Sequence, residues 1–253
     1  STLGLVLLWP FVHAAGYQAA FAPSALFFLL FALPSFLLIR EPPALTGRLD
    51  WRRLVRAAAQ RMSCTLRSAR ALAGLWRYCW AAFFSLTAIN TVLVFMGVYA
   101  RTVLGFSVGR LIAFFVFSQL FAVAGSLSFG QVVARWGAKR TLTGIWGGWM
   151  AALALVAVAP SGGWPWVAGP VIGFCLGSTW ATARVLVIEL SPKDQLAEMF
   201  GLVGLFGRAA AILGPLLWGV VVWDPARYRP AVLMLVGQLA VGLWLLRGVP
   251  SSR

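Results

Sequence analysis

The side chains of this sequence able to do chemistry inside its apolar runs are few, and Arg208 stands first among them. It lies nine residues beyond Met199 in an apolar run over 199–222, so a helix would carry it about 13–14 Å in from the start of that run. Only a counter-charge, a cavity or a bound anion offsets the cost of holding a guanidinium there. Arg184 and Glu189 share the run 165–190 but stand five residues apart, about 140° around a helix, and are poorly disposed to pair with each other. Asn90, Gln119 and Gln238 offer neutral hydrogen bonds at other apolar positions, and His13 could carry a proton or simply pack. The matching chemistry is binding and hydrogen bonding rather than bond breaking. No His, Asp and Glu cluster, nucleotide loop or metal spacing occurs. Cys64, Cys79, Cys175 and His13 are too scattered for a four-ligand zinc site. Neither an enzyme, a cofactor nor a metal is therefore expected.

Composition says what must surround these groups. Of 253 residues, 61% are apolar, a further 26 are Gly, and only 11% are charged, against about 25% charged in a soluble domain. A water-soluble globule, a disordered chain and a disulfide scaffold are all excluded, which leaves an all-α polytopic membrane protein. The net charge of +15 does not point to nucleic acid, because the basic residues cluster at the ends of apolar runs, where they report topology.

A span needs about 20 apolar residues, and eight candidates fit, near 2–20, 24–39, 77–99, 109–133, 141–159, 165–190, 199–222 and 230–246. The first two arise because the uncharged stretch from Leu3 to Leu38 is too long for one helix and breaks at Gly16 and Pro23. With the segment 40–77 in the cytoplasm, 15 Lys and Arg fall on that side and 4 on the other, while Arg184 and Arg208 lie within spans. That bias puts both ends of the chain in the cytoplasm of a membrane, taken as a bacterial inner membrane. Trp76, Trp136, Trp164, Trp166 and Trp223, near predicted span ends, fit interfacial belts.

Between the second and third spans, 40–76 forms one long basic segment opening with Glu41-Pro42-Pro43, which ends the preceding helix. On a helical wheel Trp51, Leu54, Val55, Ala58, Met62, Leu66, Ala69 and Ala73 share one face and Arg52, Arg53, Arg56, Arg67 and Arg70 the other, with Arg61 interrupting the apolar side. The pattern predicts an amphipathic helix lying on anionic lipid over 48–73, as an alternative to a solvated linker. Further along, Gly201, Gly204 and Gly207, followed by Gly214-Pro215, predict close helix packing and a kink, or a hinge.

The stretch Gly130-Gln131-Val132-Val133-Ala134-Arg135-Trp136-Gly137-Ala138-Lys139-Arg140 resembles the loop signature Gly-x-x-x-Asp-Arg-x-Gly-Arg-Lys-Arg of major facilitator superfamily transporters, in its second-half copy. Gly130 is expected to let helices approach, Gly137 to make the tight turn, and Arg135, Lys139 and Arg140 to anchor the loop at the surface. Ala134 replaces the acidic position. Ser191-Pro192-Lys193 and Ala197-Glu198-Met199-Phe200-Gly201, running to Leu213-Gly214-Pro215-Leu216, are similar to a block of the branch containing vacuolar amino-acid effluxers and their bacterial relatives. Ala32-Leu33-Pro34-Ser35-Phe36 resembles the end of that branch's sixth span. The seventh span reads Ser85-Leu86-Thr87-Ala88-Ile89-Asn90-Thr91 and lacks the branch's acidic residue.

This resemblance implies the last two helices of an N-terminal half (1–39), a cytoplasmic linker (40–76) and a C-terminal six-helix half (77–253). The chain then reads as a fragment lacking four earlier spans, with the missing half of the same protein as a partner. The implied function is alternating-access transport of a small polar solute, an amino acid or another anionic or zwitterionic metabolite. The alternative is a non-transporting partner or sensor that keeps the fold. Asn90, Gln119, Gln238 and Arg208 are the substrate-contact candidates, and Arg184 and Glu189 are gate candidates. Arg208 has three readings: a contact to the anionic group of the solute, a structural ion pair with an acid in the missing half, or snorkelling to lipid.

Overall fold

The computed structural model describes residues 21–38, 51–158, 163–224 and 228–250. Helices make up the regular structure of these residues, and none of them lies in a strand. The chain divides into two units, Ser1–Ala59 and Gln60–Arg253.

In the first unit, α1 (Phe21–Leu38) is mostly apolar and carries no charged residue. Pro23, expected to break the chain, lies within this helix. The expected span near 2–20, with His13, lies outside the described residues.

The second unit holds six helices long and apolar enough to cross a membrane: α3 (Ala73–Thr102), α4 (Val108–Trp136), α5 (Ala138–Val158), α6 (Trp164–Leu190), α7 (Leu196–Val221, after the 3₁₀ turn Lys193–Gln195) and α8 (Tyr228–Arg247). They match the six expected spans to within a few residues. Gly137 ends α4 with φ +78° and ψ 157°, a conformation that only glycine enters cheaply, so α5 starts one residue later. Sequence neighbours are not the main packing partners. Instead α4 packs on α6, α6 on α5, α5 on α8, α8 on α3 and α3 on α7, while α7 barely touches α6. The core carries Trp146 and Trp149 of α5, Leu75 and Tyr78 of α3, Leu186 of α6 and Leu235 of α8, all fully buried.

Small residues let these helices close. A Cβ at Gly173 would strike the carbonyl oxygen of Ser118, one at Gly177 that of Ala122, and one at Gly125 that of Phe174, so α4 and α6 meet backbone to backbone. Gly169, Gly173 and Gly177 recur every four residues along one face of α6. Gly214 of α7 approaches Thr87 and Thr91 of α3 in the same way, with Pro215 inside the helix. Gly201 and Gly204 correct the expectation of close packing, since a Cβ at either meets nothing within 4 Å, and Gly207 would make only ordinary contact with Leu86 at 3.5 Å. Gly201 and Gly204 thus face open space among the described residues. Gly130 is corrected likewise: it is exposed, and a Cβ there meets nothing within 4 Å.

The basic segment contributes to the bundle as well. α2 (Trp51–Ala71) is a helix as predicted, and its C-terminal turns dock on protein. Thr65 and Ala69 are buried and Leu66 packs against the core. Thr65 Oγ1 donates to Glu198 Oε2 at 3.1 Å, and Arg70 lies over the Trp76 ring at 5.2 Å. Docking removes part of the apolar face from water, while Arg67 and Arg70 on the other face stay exposed. At the same end of the bundle, the last carbonyl of α8, which has no intrahelical donor, and those of the two residues after it receive cations. Lys139 Nζ donates to the carbonyl oxygens of Arg247, at 2.9 Å, and Val249, and Arg77 Nη1 donates to that of Gly248 at 2.9 Å. Arg135 and Arg140 are exposed.

Candidate solute-binding cavity

Three helices carry the polar groups that meet in one place. α3 presents Asn90 one turn beyond Leu86, α6 presents Thr179, Trp180, Ala183 and Arg184 at helical spacing, and α7 presents Gly204, Gly207, Arg208 and Ala211. Together with Trp146 of α5 they line a cavity of about 420 Å³, within the range of small-molecule sites. Because α6 and α7 scarcely touch, the space between them stays open. The small residues Gly204 and Ala211, four and three residues from Arg208, leave room beside its guanidinium.

The electrostatics are one-sided. Arg184 and Arg208 both line the cavity, and none of its lining residues is Asp or Glu. Asn90 adds a neutral amide. The indole Nε1 of the buried Trp146, which also lines the cavity, has no hydrogen-bond partner. Arg184 and Arg208 are exposed to the open space of the cavity; such a set of donors attracts an anion, and two planar guanidinium forks match the oxygens of a carboxylate or phosphate.

The candidate residues distribute unevenly over the bundle. Asn90 and Arg208 share the arginine cavity, and Arg184, expected as a gate contact, lines it with them. Gln119 lies outside it, in neighbouring cavities of about 110 and 360 Å³ between α3, α4 and α6. Gln238 lines neither. It sits on α8, which packs against α3 and α5, and its buried Oε1 lacks a partner. Glu189 is exposed near the end of α6. Sequence reasoning missed Trp146 and Trp180 as cavity residues and the α6 glycines as the packing seam. The four-residue spacing of Gly169, Gly173 and Gly177 was a readable signal for the seam. Nothing in the sequence distinguishes Trp146 from the other tryptophans.

Residues 11–253 match the family described as vacuole effluxer Atg22 like. An uncharacterized MFS-type transporter, YxiO, of Bacillus subtilis (strain 168) is 24% identical over 194 residues, which is 76% of this chain and 45% of that protein. A Na(+), Li(+), K(+)/H(+) antiporter of Planococcus maritimus is 26% identical over 172 residues, covering 65% of this chain and 39% of that protein. The chain thus spans less than half the length of these relatives. The crystal structure of the nucleoside transporter NupG (D323A mutant) superposes with a TM-score of 0.70 at 17% identity, over 98% of this chain and 65% of that one, which establishes the fold. The six membrane-length helices and the family match over nearly all of the sequence lead to one conclusion: this chain is an integral membrane protein of the Atg22-like vacuole effluxer family, within the major facilitator superfamily.

Proposed function

We propose that the protein is a secondary transporter of small anionic or zwitterionic solutes, amino acids among them, and that Arg208 and Arg184 hold the anionic group. The single observation behind this reading is the cavity lining, with two guanidinium groups and no carboxylate. Two like charges around one space in a membrane are costly when the space is empty of anion, so a bound carboxylate is favoured in proportion. Arg208 near mid-depth suits alternating access, in which solute binds between two halves close to the bilayer centre. The helix that carries it is held mainly by α3, so α7 is free to tilt relative to α6. The Planococcus relative is named for cations; a cation would meet repulsion from both arginines in this cavity.

Three further assignments belong to this proposal. A second half of the same protein closes the cavity, anionic lipid meets the exposed arginines of α2, and the membrane is a bacterial inner membrane with the α2 end of the bundle facing the cytoplasm. The exposed Arg67, Arg70, Arg135 and Arg140 around that end support the orientation.

The test is counterflow of labelled amino acids and small carboxylates by the full-length protein in proteoliposomes. Arg208→Lys keeps the charge and loses the fork, and it should weaken binding about tenfold, with Arg208→Ala weaker still. Parent-like transport by Arg208→Ala rules the reading out. Should both variants fail to fold, Arg184→Gln gives the same comparison from the other helix.

A further inference from the structure

The arginine cavity has a neighbour, and one side chain borders both. Trp180 lines the arginine cavity on one side and, on the other, the cavity of about 360 Å³ that contains Gln119 and Ser126 of α4. α6 forms a continuous wall: Gly177 and Trp180 face the second cavity, and Trp180 and Arg184 face the first. From Gly177 to Arg184 the helix rises about 10 Å.

The second cavity is an open cleft, with Leu93, Val123, Ser126 and Trp180 exposed along it, and it contains no charged residue in its lining, so a carboxylate moved into it gains no counter-ion. It does contain free hydrogen-bonding groups. Ser118 and Ser128 of α4 and Ser178 of α6 donate back to carbonyls of their own helices, to Phe114, Ala124 and Phe174. Gln119 and Ser126 make no hydrogen bond to another described residue. They lie seven residues apart, on one face of α4, and so present an amide and a hydroxyl into the same space.

We propose that the solute is an elongated monoanion whose charged group lies between Arg184 and Arg208 and whose neutral, hydrogen-bonding end passes Trp180 to reach Gln119 and Ser126. This rests on the anion reading of the arginine cavity and adds to it a second compartment that selects for the far end of the solute. Trp180 is the specificity-determining residue between the two.

Three six-carbon probes test it on the purified full-length protein by calorimetry. Adipamate has a carboxylate and a neutral amide, hexanoate has the carboxylate alone, and adipate has two carboxylates. Adipamate should bind more tightly than either of the others. Gln119→Leu should lower the adipamate-to-hexanoate affinity ratio about fivefold, the scale of one lost hydrogen bond, and Ser126→Ala should lower it less. Trp180→Phe narrows the wall between the compartments and should shift the ratio by changing adipamate binding more than hexanoate binding. Arg208→Lys should weaken both probes alike; if it changes neither, the anion reading fails, and that result is separate from the ratio. Adipate binding as tightly as adipamate, a ratio unchanged in both Gln119→Leu and Ser126→Ala, or no binding of any probe overturns the two-compartment proposal. If Gln119→Leu does not fold, Ser126→Ala and Trp180→Phe decide between the same outcomes.

Discussion

Lys139 shows how a surface cation becomes structural. Its ammonium group bridges the carbonyls of Arg247 and Val249, at the end of α8 where the helix dipole favours positive charge. Replacing it by Met keeps the aliphatic stem and removes both hydrogen bonds, and Lys139→Met should cost about 1–3 kcal/mol, read as a lowered unfolding temperature in detergent. Arg140→Met, one residue on and exposed, should change little. The two glycines of the loop signature separate in the same way. Gly137→Ala forces a side chain into a backbone region essentially reserved for glycine and should destabilise by about 1–3 kcal/mol. Gly130→Ala enters open space on a helix and should be neutral or slightly stabilising. The residue types were legible in the sequence, but which of the two glycines mattered was not, because only backbone conformation and neighbours distinguish them.

Among the elements, the α4 and α6 pair has the tightest seam. Gly173→Val would drive a branched side chain into the Ser118 carbonyl, and the helices can accept it only by separating. The expected outcome is loss of folded protein by size-exclusion profile, with Gly201→Val, which faces open space among the described residues, retaining it. α2 gives a second element-scale prediction. Its amphipathic pattern was plain from the sequence, yet a helical wheel cannot say whether lipid or protein covers the apolar face. Here the Thr65 hydroxyl meets Glu198 at the start of α7, the helix that carries Arg208. Thr65→Val removes the hydrogen bond and keeps the volume, and it should increase hydrogen exchange over 60–71 and at the start of α7. Unchanged exchange in both segments would show that the docking does not depend on this contact. Boundaries of the six long helices came through well because apolar runs, tryptophans and basic ends all mark the same limits.

At the scale of the whole molecule, charge and connectivity should agree. Single cysteines at Arg67 and Arg140, in a background lacking Cys64, Cys79 and Cys175, should label from the same side of the membrane, since Arg77 and Lys139 tie both segments to the end of α8; opposite-side labelling would break the threading. The sequence by itself determined the all-α membrane class, the six membrane-length helices and the family resemblance, because each is written in local composition: lengths of apolar runs, positions of Lys and Arg, and one loop signature. Tertiary structure decided which faces of those helices meet. Arg184 and Arg208 are 24 residues apart on different helices, and no periodicity along either helix reports the rotation of one about the other. That rotation is set by where backbones can touch, at Gly173, Gly177 and Gly214, and it is this close packing that leaves α6 and α7 apart, with both arginines facing the space between them.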